Sequence, residues 1–120
     1  MSDPVVWFNA SCSKCRTTQS ILSERNIDAE YLSYLKTPPD ETEIRRVLGL
    51  LGTSDPRDMA RTGEPLWREL GLDNATSDEV IEALAANPRL IERPIVIIGD
   101  RAVVARPPER VLEILGNVEN

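Results

Sequence analysis

The sequence contains no histidine, two cysteines and only two lysines among its 14 basic residues. The absence of histidine excludes the Cys–His pair with which many thiol enzymes activate their nucleophile. Two cysteines without histidine also make a poor zinc site, because carboxylates would have to complete the four ligands. We therefore predict no metal site and look for chemistry that two thiols can perform without a histidine base.

No apolar stretch approaches the length of a membrane span, and the N-terminal residues lack a basic region followed by an apolar core. We therefore expect a cytoplasmic protein with no membrane partner, in a compartment that keeps thiols reduced. The net charge of −6 argues against nucleic-acid binding, which needs clustered cations. The 120 residues can bury a core without disulfides or metal, so we predict one domain over residues 1–120, present as a monomer.

The predicted elements follow the order β-α-β, several helices, then β-β-α. Short apolar runs of strand-forming residues predict four strands, at residues 5–8, 29–35, 94–98 and 102–105. Helical spacing predicts a helix over residues 12–25, so the first two strands should be parallel members of a βαβ unit. A last helix should follow the two prolines at 107 and 108 and end at Gly116.

The region between the second and third strands is predicted to be helical. Asp40 with Glu43, and Thr76 with Glu79, have the spacing of capping boxes that open helices. Residues 54–73 are interrupted by prolines and glycines and predict short helical turns. The whole order is that of a thioredoxin-like α/β fold, βαβ…ββα, with an inserted helical segment between the two halves.

Both cysteines lie where the first strand passes into the first helix. Backbone N–H groups and the positive end of the helix dipole should favour a thiolate at Cys12, and Lys14 and Arg16 add positive charge. Each unit by which the pKa falls corresponds to ~1.4 kcal/mol in favour of the anion. Cys15, one turn further in, should keep a higher pKa and act as a resolving thiol. The alternative is that both are small buried hydrophobic residues.

Four motifs carry a resemblance that runs from Val5 to Leu115. They are N-x-x-C-x-x-C-R at 9–16, the arginine at 61 before G-E-P-L, E-R-P-I-V at 92–96 and A-R-P-P-E-R-V-L-E-I-L at 105–115. Together they resemble the ArsC-type arsenate reductases, a thioredoxin-fold family coupled to glutaredoxin. The unrelated arsenate reductases with a phosphatase loop need arginine six residues after the cysteine, where this chain has Thr18.

The resemblance implies a function and a set of site residues. Cys12 matches the family's nucleophile, and three arginines, Arg61, Arg93 and Arg106, match those that bind the oxyanion. Arginine suits this task because its planar fork matches two oxygens of arsenate or phosphate. Arg57, four residues before Arg61, could share its role. The family binds no cofactor and uses an external thiol reductant.

Three positions depart from the best-known branch of the family. Phe8 stands in place of histidine, Ala10 in place of proline and Cys15 in place of serine. Cys15 makes an internal disulfide with Cys12 possible. The electron donor therefore stays open among glutaredoxin with glutathione, another low-molecular-weight thiol, and thioredoxin.

We expect arsenate, or a similar oxyanion, to be reduced to arsenite through the Cys12 thiolate. Two alternatives share the fold. A general thiol-disulfide oxidoreductase would use both cysteines and would not need the arginines. A Spx-type redox-sensing regulator would bind RNA polymerase and lack turnover. Arg93 also precedes Pro94 at the position where thioredoxin-like folds place a cis-proline beside the active thiol.

Overall fold

A four-stranded mixed sheet organises the fold in the computed structural model, which describes residues 4–115. Its strands are β1 (Val5–Trp7), β2 (Glu30–Leu32), β3 (Ile95–Ile98) and β4 (Arg101–Val104), in the spatial order β2-β1-β3-β4. β1 is parallel to β2 and antiparallel to β3, and β3 is antiparallel to β4. The predicted parallel βαβ half and antiparallel ββ half are therefore confirmed.

Helical segments fill the remainder of the described chain. The α-helices are α1 (Ser13–Glu24), α2 (Glu41–Leu50), α3 (Pro65–Glu69) and α4 (Ser77–Ala86), and 3₁₀ helices occupy Pro56–Met59, Leu72–Asn74, Pro88–Leu90 and Pro108–Ile114. Most of these elements lie between β2 and β3, which confirms the inserted helical segment. None of the helices within residues 4–115 has the length and apolar character needed to cross a membrane.

The capping predictions hold to different degrees. At the start of α4, Thr76 Oγ1 accepts a 3.2 Å hydrogen bond from the Glu79 N–H, and Glu79 Oε1 accepts one of 2.8 Å from the Thr76 N–H. This is a complete capping box. At the start of α2, Asp40 accepts a 2.8 Å bond from the Glu43 N–H, so its side chain caps the helix.

Two apolar layers cover the sheet, because successive strand residues point to opposite faces. Val6 and Val96 pack on the face that also buries Leu22 of α1. Trp7 and Ile95 pack on the other face. The second layer is completed by apolar residues of α2 and α4, namely Ile44, Val47, Leu48, Val80, Ile81 and Leu84. With both faces covered, the ends of the strands are where polar chemistry can reach solvent.

Two predicted elements differ from the structure. β2 spans Glu30–Leu32 rather than residues 29–35, because the Lys36 and Thr37 N–H groups donate to the Ser33 carbonyl and turn the chain. The last helix, Pro108–Ile114, is a 3₁₀ helix, whose three-residue period buries Pro108, Val111 and Ile114 and leaves Leu112 exposed. Its predicted end at Gly116 lies outside the described residues, and the assignment of residues 1–120 to one domain stays a prediction.

Candidate active site

Cys12 is the N-cap residue of α1, at the end of the loop that follows β1. Asn9 fixes this loop: its carbonyl oxygen accepts from the Cys12 N–H at 3.0 Å, and its side-chain Oδ1 accepts from the Ser11 N–H at 3.0 Å. Arg16 Nη1 donates a 2.8 Å hydrogen bond to the Ala10 carbonyl. Arg16, predicted to add charge near Cys12, therefore holds the loop in place.

The environment of Cys12 favours its thiolate. Burial alone would raise the pKa of Cys12, but the N–H group and thiol of Cys15, the N–H group of Lys14 and the charge of Arg93 lower it. The net pKa lies below the ordinary value of 9.0. Among the described residues, the Cys12 side chain accepts no helix-capping hydrogen bond. The N–H groups of Lys14 and Cys15 therefore act on the sulfur mainly through their dipoles. The cation that acts on Cys12 is Arg93.

Cys15 has the opposite character. Its side chain is fully buried, whereas 8% of Cys12 is exposed, and both thiols are free. The pKa of Cys15 is raised to about 12, mainly by burial; the interaction with Cys12 adds to the rise, and Asn9 and Arg93 oppose it. One thiol is therefore poised to ionise while its neighbour keeps its proton, as the sequence predicts.

Arg93 lies two residues before the start of β3 and is joined to Pro94 by a cis peptide bond, as predicted. Its charge acts on Cys12, on Cys15 and on Tyr34. The Nε atom of Arg93 is buried and has no hydrogen-bond partner among residues 4–115. A buried donor without a partner is costly, so this atom marks a place where an anion would be stabilised.

Arg106 lies two residues after the end of β4, and its Nη1 donates a 2.9 Å hydrogen bond to the carbonyl oxygen of Arg93. It too precedes a cis-proline, Pro107. The Nε atom of Arg106 is 3.5 Å from a carboxylate oxygen of Glu92. Two of the three predicted oxyanion ligands are thus brought together at the joined ends of β3 and β4.

Arg61 belongs to the inserted helical segment, and its charge acts on Tyr34 of the site. The Arg61 N–H donates to the Leu90 carbonyl at 2.7 Å, and the Glu92 N–H donates to the Met59 carbonyl at 2.9 Å. These two bonds hold the chain around Arg61 beside the chain that leads into β3. The guanidinium of Arg61 lies 3.2 Å from Glu64 and donates to the Arg89 carbonyl, also at 3.2 Å.

Arg57 does not share the position of Arg61. Its Nη2 donates to the carbonyl oxygens of Leu72 and Ala75, at 3.1 and 2.6 Å. Its Nη1 lies 3.5 Å from Asp55. Arg57 therefore ties the inserted segment together, and its fork is already occupied by protein oxygens.

Tyr34 is a member of the site that the sequence does not predict. It is buried in the turn after β2, and β2 and β1 are parallel, so their carboxyl ends meet at the edge where Cys12 begins α1. Burial raises the pKa of Tyr34 to about 12, while the charges of Arg93 and Arg61 oppose this rise and the two cysteines add to it. Tyr34 is thus a protonated phenol close to four predicted site residues.

Phe8, which replaces the family's histidine, lies away from this cluster. It follows β1 and packs with the layer that contains Val6, and its ring meets that of Tyr31 edge to face at 5.1 Å. Between residues 4 and 115 no group of three or more acidic, cysteine or histidine side chains is arranged to hold a metal ion.

Two of the cavities among the described residues differ in their relation to the site. One of about 260 Å³ is lined by Ala60, Arg61, Thr62, Gly63, Glu64 and Glu92. A larger one, of about 590 Å³, borders β4 and has neither cysteine in its lining. The smaller cavity is the one next to the predicted site, because it contains one of its arginines.

Comparison with known proteins gives a consistent result. The model of the ArsC family matches residues 7–114. The arsenate reductase of Neisseria meningitidis is 41% identical over 117 residues, which cover 96% of this chain and all of that protein. The Escherichia coli protein named uncharacterized protein YfgD is 42% identical, over 92% of this chain and 95% of its own.

The solved structure of arsenate reductase from Vibrio cholerae has the same fold. It superimposes with a TM-score of 0.91 at 40% sequence identity, covering 94% of this chain and 98% of that one. The predicted thioredoxin-like α/β class is therefore confirmed.

Proposed function

The chain belongs to the ArsC family, and we propose that it is an arsenate reductase that uses Cys12 as its nucleophile. The observation that carries this proposal is the position of Arg93 beside Cys12. One cation lowers the pKa of the attacking thiol and has a buried Nε without a protein partner among the described residues. A tetrahedral oxyanion would supply that partner and would lie next to the sulfur.

Arg61 and Arg106 complete the oxyanion site in this proposal. Both are permanently charged, and each is about a third exposed, so neither is locked inside the core. Arg106 is tied to Arg93 through the Arg93 carbonyl, which supports a shared task. Amides at the start of α1 add partial positive charge on the side of the sulfur. The protein then contributes position and charge neutralisation.

The reaction proceeds in two steps. The Cys12 thiolate attacks arsenic, one arsenate oxygen takes up two protons and leaves as water, and a sulfur–arsenic(V) bond forms. A second thiol then attacks Cys12 Sγ, the sulfur–arsenic bond breaks, and its electron pair reduces arsenic to As(III). Arsenite leaves, and a disulfide remains that an external thiol reduces.

Cys15 is the proposed second thiol, because it is buried and interacts with Cys12. Its raised pKa keeps it protonated until it attacks Cys12 Sγ. The external reductant then acts on a Cys12–Cys15 disulfide. A glutaredoxin–glutathione system, another small thiol or thioredoxin would serve, and the family resemblance implies such a donor in place of a bound cofactor. A reducing cytoplasm is the compartment that this chemistry requires.

The difference in pKa between the two thiols also fits a second function, that of a general thiol-disulfide oxidoreductase. A nucleophilic Cys12 and a buried Cys15 are also what a general thiol-disulfide oxidoreductase needs. Such an enzyme would reduce mixed disulfides at the same rate after Arg61→Ala, because Arg61 is not among the groups that shift the pKa of Cys12. The comparisons do not favour the regulator alternative.

The test is arsenate-dependent oxidation of NADPH, measured in parallel with glutaredoxin–glutathione and with thioredoxin. Wild-type protein should turn over arsenate, and Cys12→Ser should abolish turnover, because a hydroxyl without a base is a far weaker nucleophile. Arg68→Ala, at an exposed site on α3, is the matched control and should retain activity. Wild-type protein that is inactive with both donors, or an active Cys12→Ser variant, would overturn the proposal.

A further inference from the structure

Two carboxylates lie within the arginine cluster. Glu64 Oε2 is 3.2 Å from Arg61 Nη2, and Glu92 Oε2 is 3.5 Å from Arg106 Nε. Their side chains are 20% and 25% exposed, less than any other acidic partner among the ion pairs of residues 4–115. Solvent and salt therefore screen their charges less than those of ordinary surface pairs.

Both carboxylates also face the cavity that contains Arg61. Backbone hydrogen bonds hold them there, since the Glu92 N–H donates to Met59 and the Arg61 N–H donates to Leu90. Glu92 directly precedes Arg93 in the chain. An anion bound by the three arginines would thus lie close to two negative charges that the protein itself supplies.

The charges of the site nearly cancel before a substrate arrives. Three guanidinium groups contribute +3, Glu64 and Glu92 contribute −2, and the Cys12 thiolate contributes −1, so the sum is zero. Arg89 adds a further positive charge 3.7 Å from Glu64, but its side chain is 58% exposed and is largely screened. The charged groups that face the two carboxylates are Arg61, Arg89 and Arg106, and Arg93 follows Glu92 in the chain.

From this balance we propose that Glu64 and Glu92 determine specificity by charge: they make the arginine site accept a singly charged tetrahedral oxyanion and disfavour a doubly charged one. The inference rests on the proposed function, because it takes the arginines as the oxyanion ligands. Arsenate and phosphate pass from monoanion to dianion near neutral pH, whereas sulfate is a dianion throughout. Because the charges of the site already sum to zero, the second charge of a dianion adds directly to the repulsion from the two carboxylates, and a monoanion meets less of that repulsion.

Substitution by glutamine removes the negative charge of a glutamate and keeps the shape of its side chain. In Glu92→Gln an amide oxygen replaces the carboxylate oxygen that lies 3.5 Å from Arg106 Nε, so the arginine keeps a polar neighbour while one negative charge disappears. Glu92→Ala removes both the charge and the partner. A residue that merely positions Arg106 would tolerate glutamine and suffer from alanine, whereas a specificity-determining charge would respond to glutamine.

The first measurement is the KM for arsenate across the pH range in which arsenate becomes a dianion. The wild-type KM should rise through this range. In Glu92→Gln the KM at the alkaline end should fall about three- to tenfold with little change in kcat, as expected for one partly screened charge. Glu82→Gln, on an exposed part of α4, is the matched control and should follow wild type. A KM in Glu92→Gln that is unchanged or raised at the alkaline end would overturn the inference.

The second measurement does not depend on turnover. Sulfate bound at the arginines should protect Cys12 from alkylation by iodoacetamide, and this protection should be weak in wild type. In Glu92→Gln and Glu64→Gln, the sulfate concentration that gives half-maximal protection should be about three- to tenfold lower. Equal protection in wild type and variants, or none in any of them, would overturn the inference. Lack of arsenate turnover in wild type would overturn the proposed function alone, because sulfate protection would still report on the two carboxylates.

Discussion

The carbonyl oxygen of Arg93 accepts a 2.9 Å hydrogen bond from Nη1 of Arg106. The bond joins the segment before β3 to the segment after β4, and these two strands are paired antiparallel. Arg106 thereby supports the backbone of Arg93, whose own guanidinium acts on Cys12. The two arginines therefore act together: Arg93 interacts electrostatically with the Cys12 thiol, and Arg106 helps to hold Arg93 in place.

Arg93→Lys should be damaging although it keeps the positive charge. An ammonium is a point charge and cannot place two donors on two oxygens of a tetrahedral anion, as a guanidinium does. We expect kcat/KM for arsenate to fall by about tenfold or more, an effect of about 1.4 kcal/mol or more. Arg68→Lys is the control. Near-normal kinetics in Arg93→Lys would show that Arg93 does not bind the substrate through two nitrogens.

The pH dependence of Cys12 alkylation should report its lowered pKa. Iodoacetamide reacts with the thiolate, and Cys15 is fully buried, so the rate follows the ionisation of Cys12. The midpoint in wild type should lie below the ordinary value of 9.0. Arg93→Ala removes a charge that stabilises the thiolate and should move the midpoint upward, whereas Arg68→Ala should not. An ordinary thiol curve in wild type would contradict the proposed activation of Cys12.

The sequence predicted most of the fold because the strands and capped helices carry local signals. Apolar runs located β1, β3 and β4 to within about a residue, because short runs of strand-forming residues bounded by turn residues are typical of buried strands. β2 was predicted too long because Tyr34, although buried, reaches the core from a turn. An aromatic residue buried from a turn and one buried from a strand give the same sequence pattern.

The site was predicted in part for similar reasons. Cys12, Cys15 and the three arginines carry motifs, whereas the other members of the site do not. A lone tyrosine after a strand is typical of a core residue, so nothing distinguished Tyr34. Glu64 and Glu92 stand near arginines in the sequence, as many surface residues do. Only the three-dimensional arrangement reveals that Tyr34 lies near the two thiols and that the two glutamates lie beside the arginines.

Alkaline pH should destabilise the protein through its buried thiol and phenol. The pKa of Cys15 rises from 9.0 to about 12 on folding, and that of Tyr34 from 10.0 to about 12. Each group therefore contributes stability that is complete below its unfolded pKa and is lost as the pH rises towards 12. Urea unfolding should show the free energy falling across this range, and Tyr34→Phe should reduce the fall between pH 10 and 12. An identical slope in Tyr34→Phe would mean that the phenol titrates normally.

The final prediction concerns Cys15. If Cys15 resolves the arsenic adduct, wild-type protein given arsenate without an external thiol should complete one turnover, release arsenite and form a Cys12–Cys15 disulfide. Mass spectrometry should then detect the loss of two hydrogens. The lowered pKa of Cys12 makes it the attacking and later the attacked sulfur, whereas Cys15, with a pKa of about 12, must lose its proton as it attacks.

Cys15→Ser separates this role from packing. The variant should lose coupling to thioredoxin, which needs an internal disulfide to reduce, yet remain active with small thiols that attack the adduct at Cys12 directly. Cys15→Ala is the control for the buried hydroxyl that serine introduces, and it should show the same change of donor. If both variants keep the wild-type donor preference and no internal disulfide forms in wild type, Cys15 serves only to fill the core beside the nucleophile.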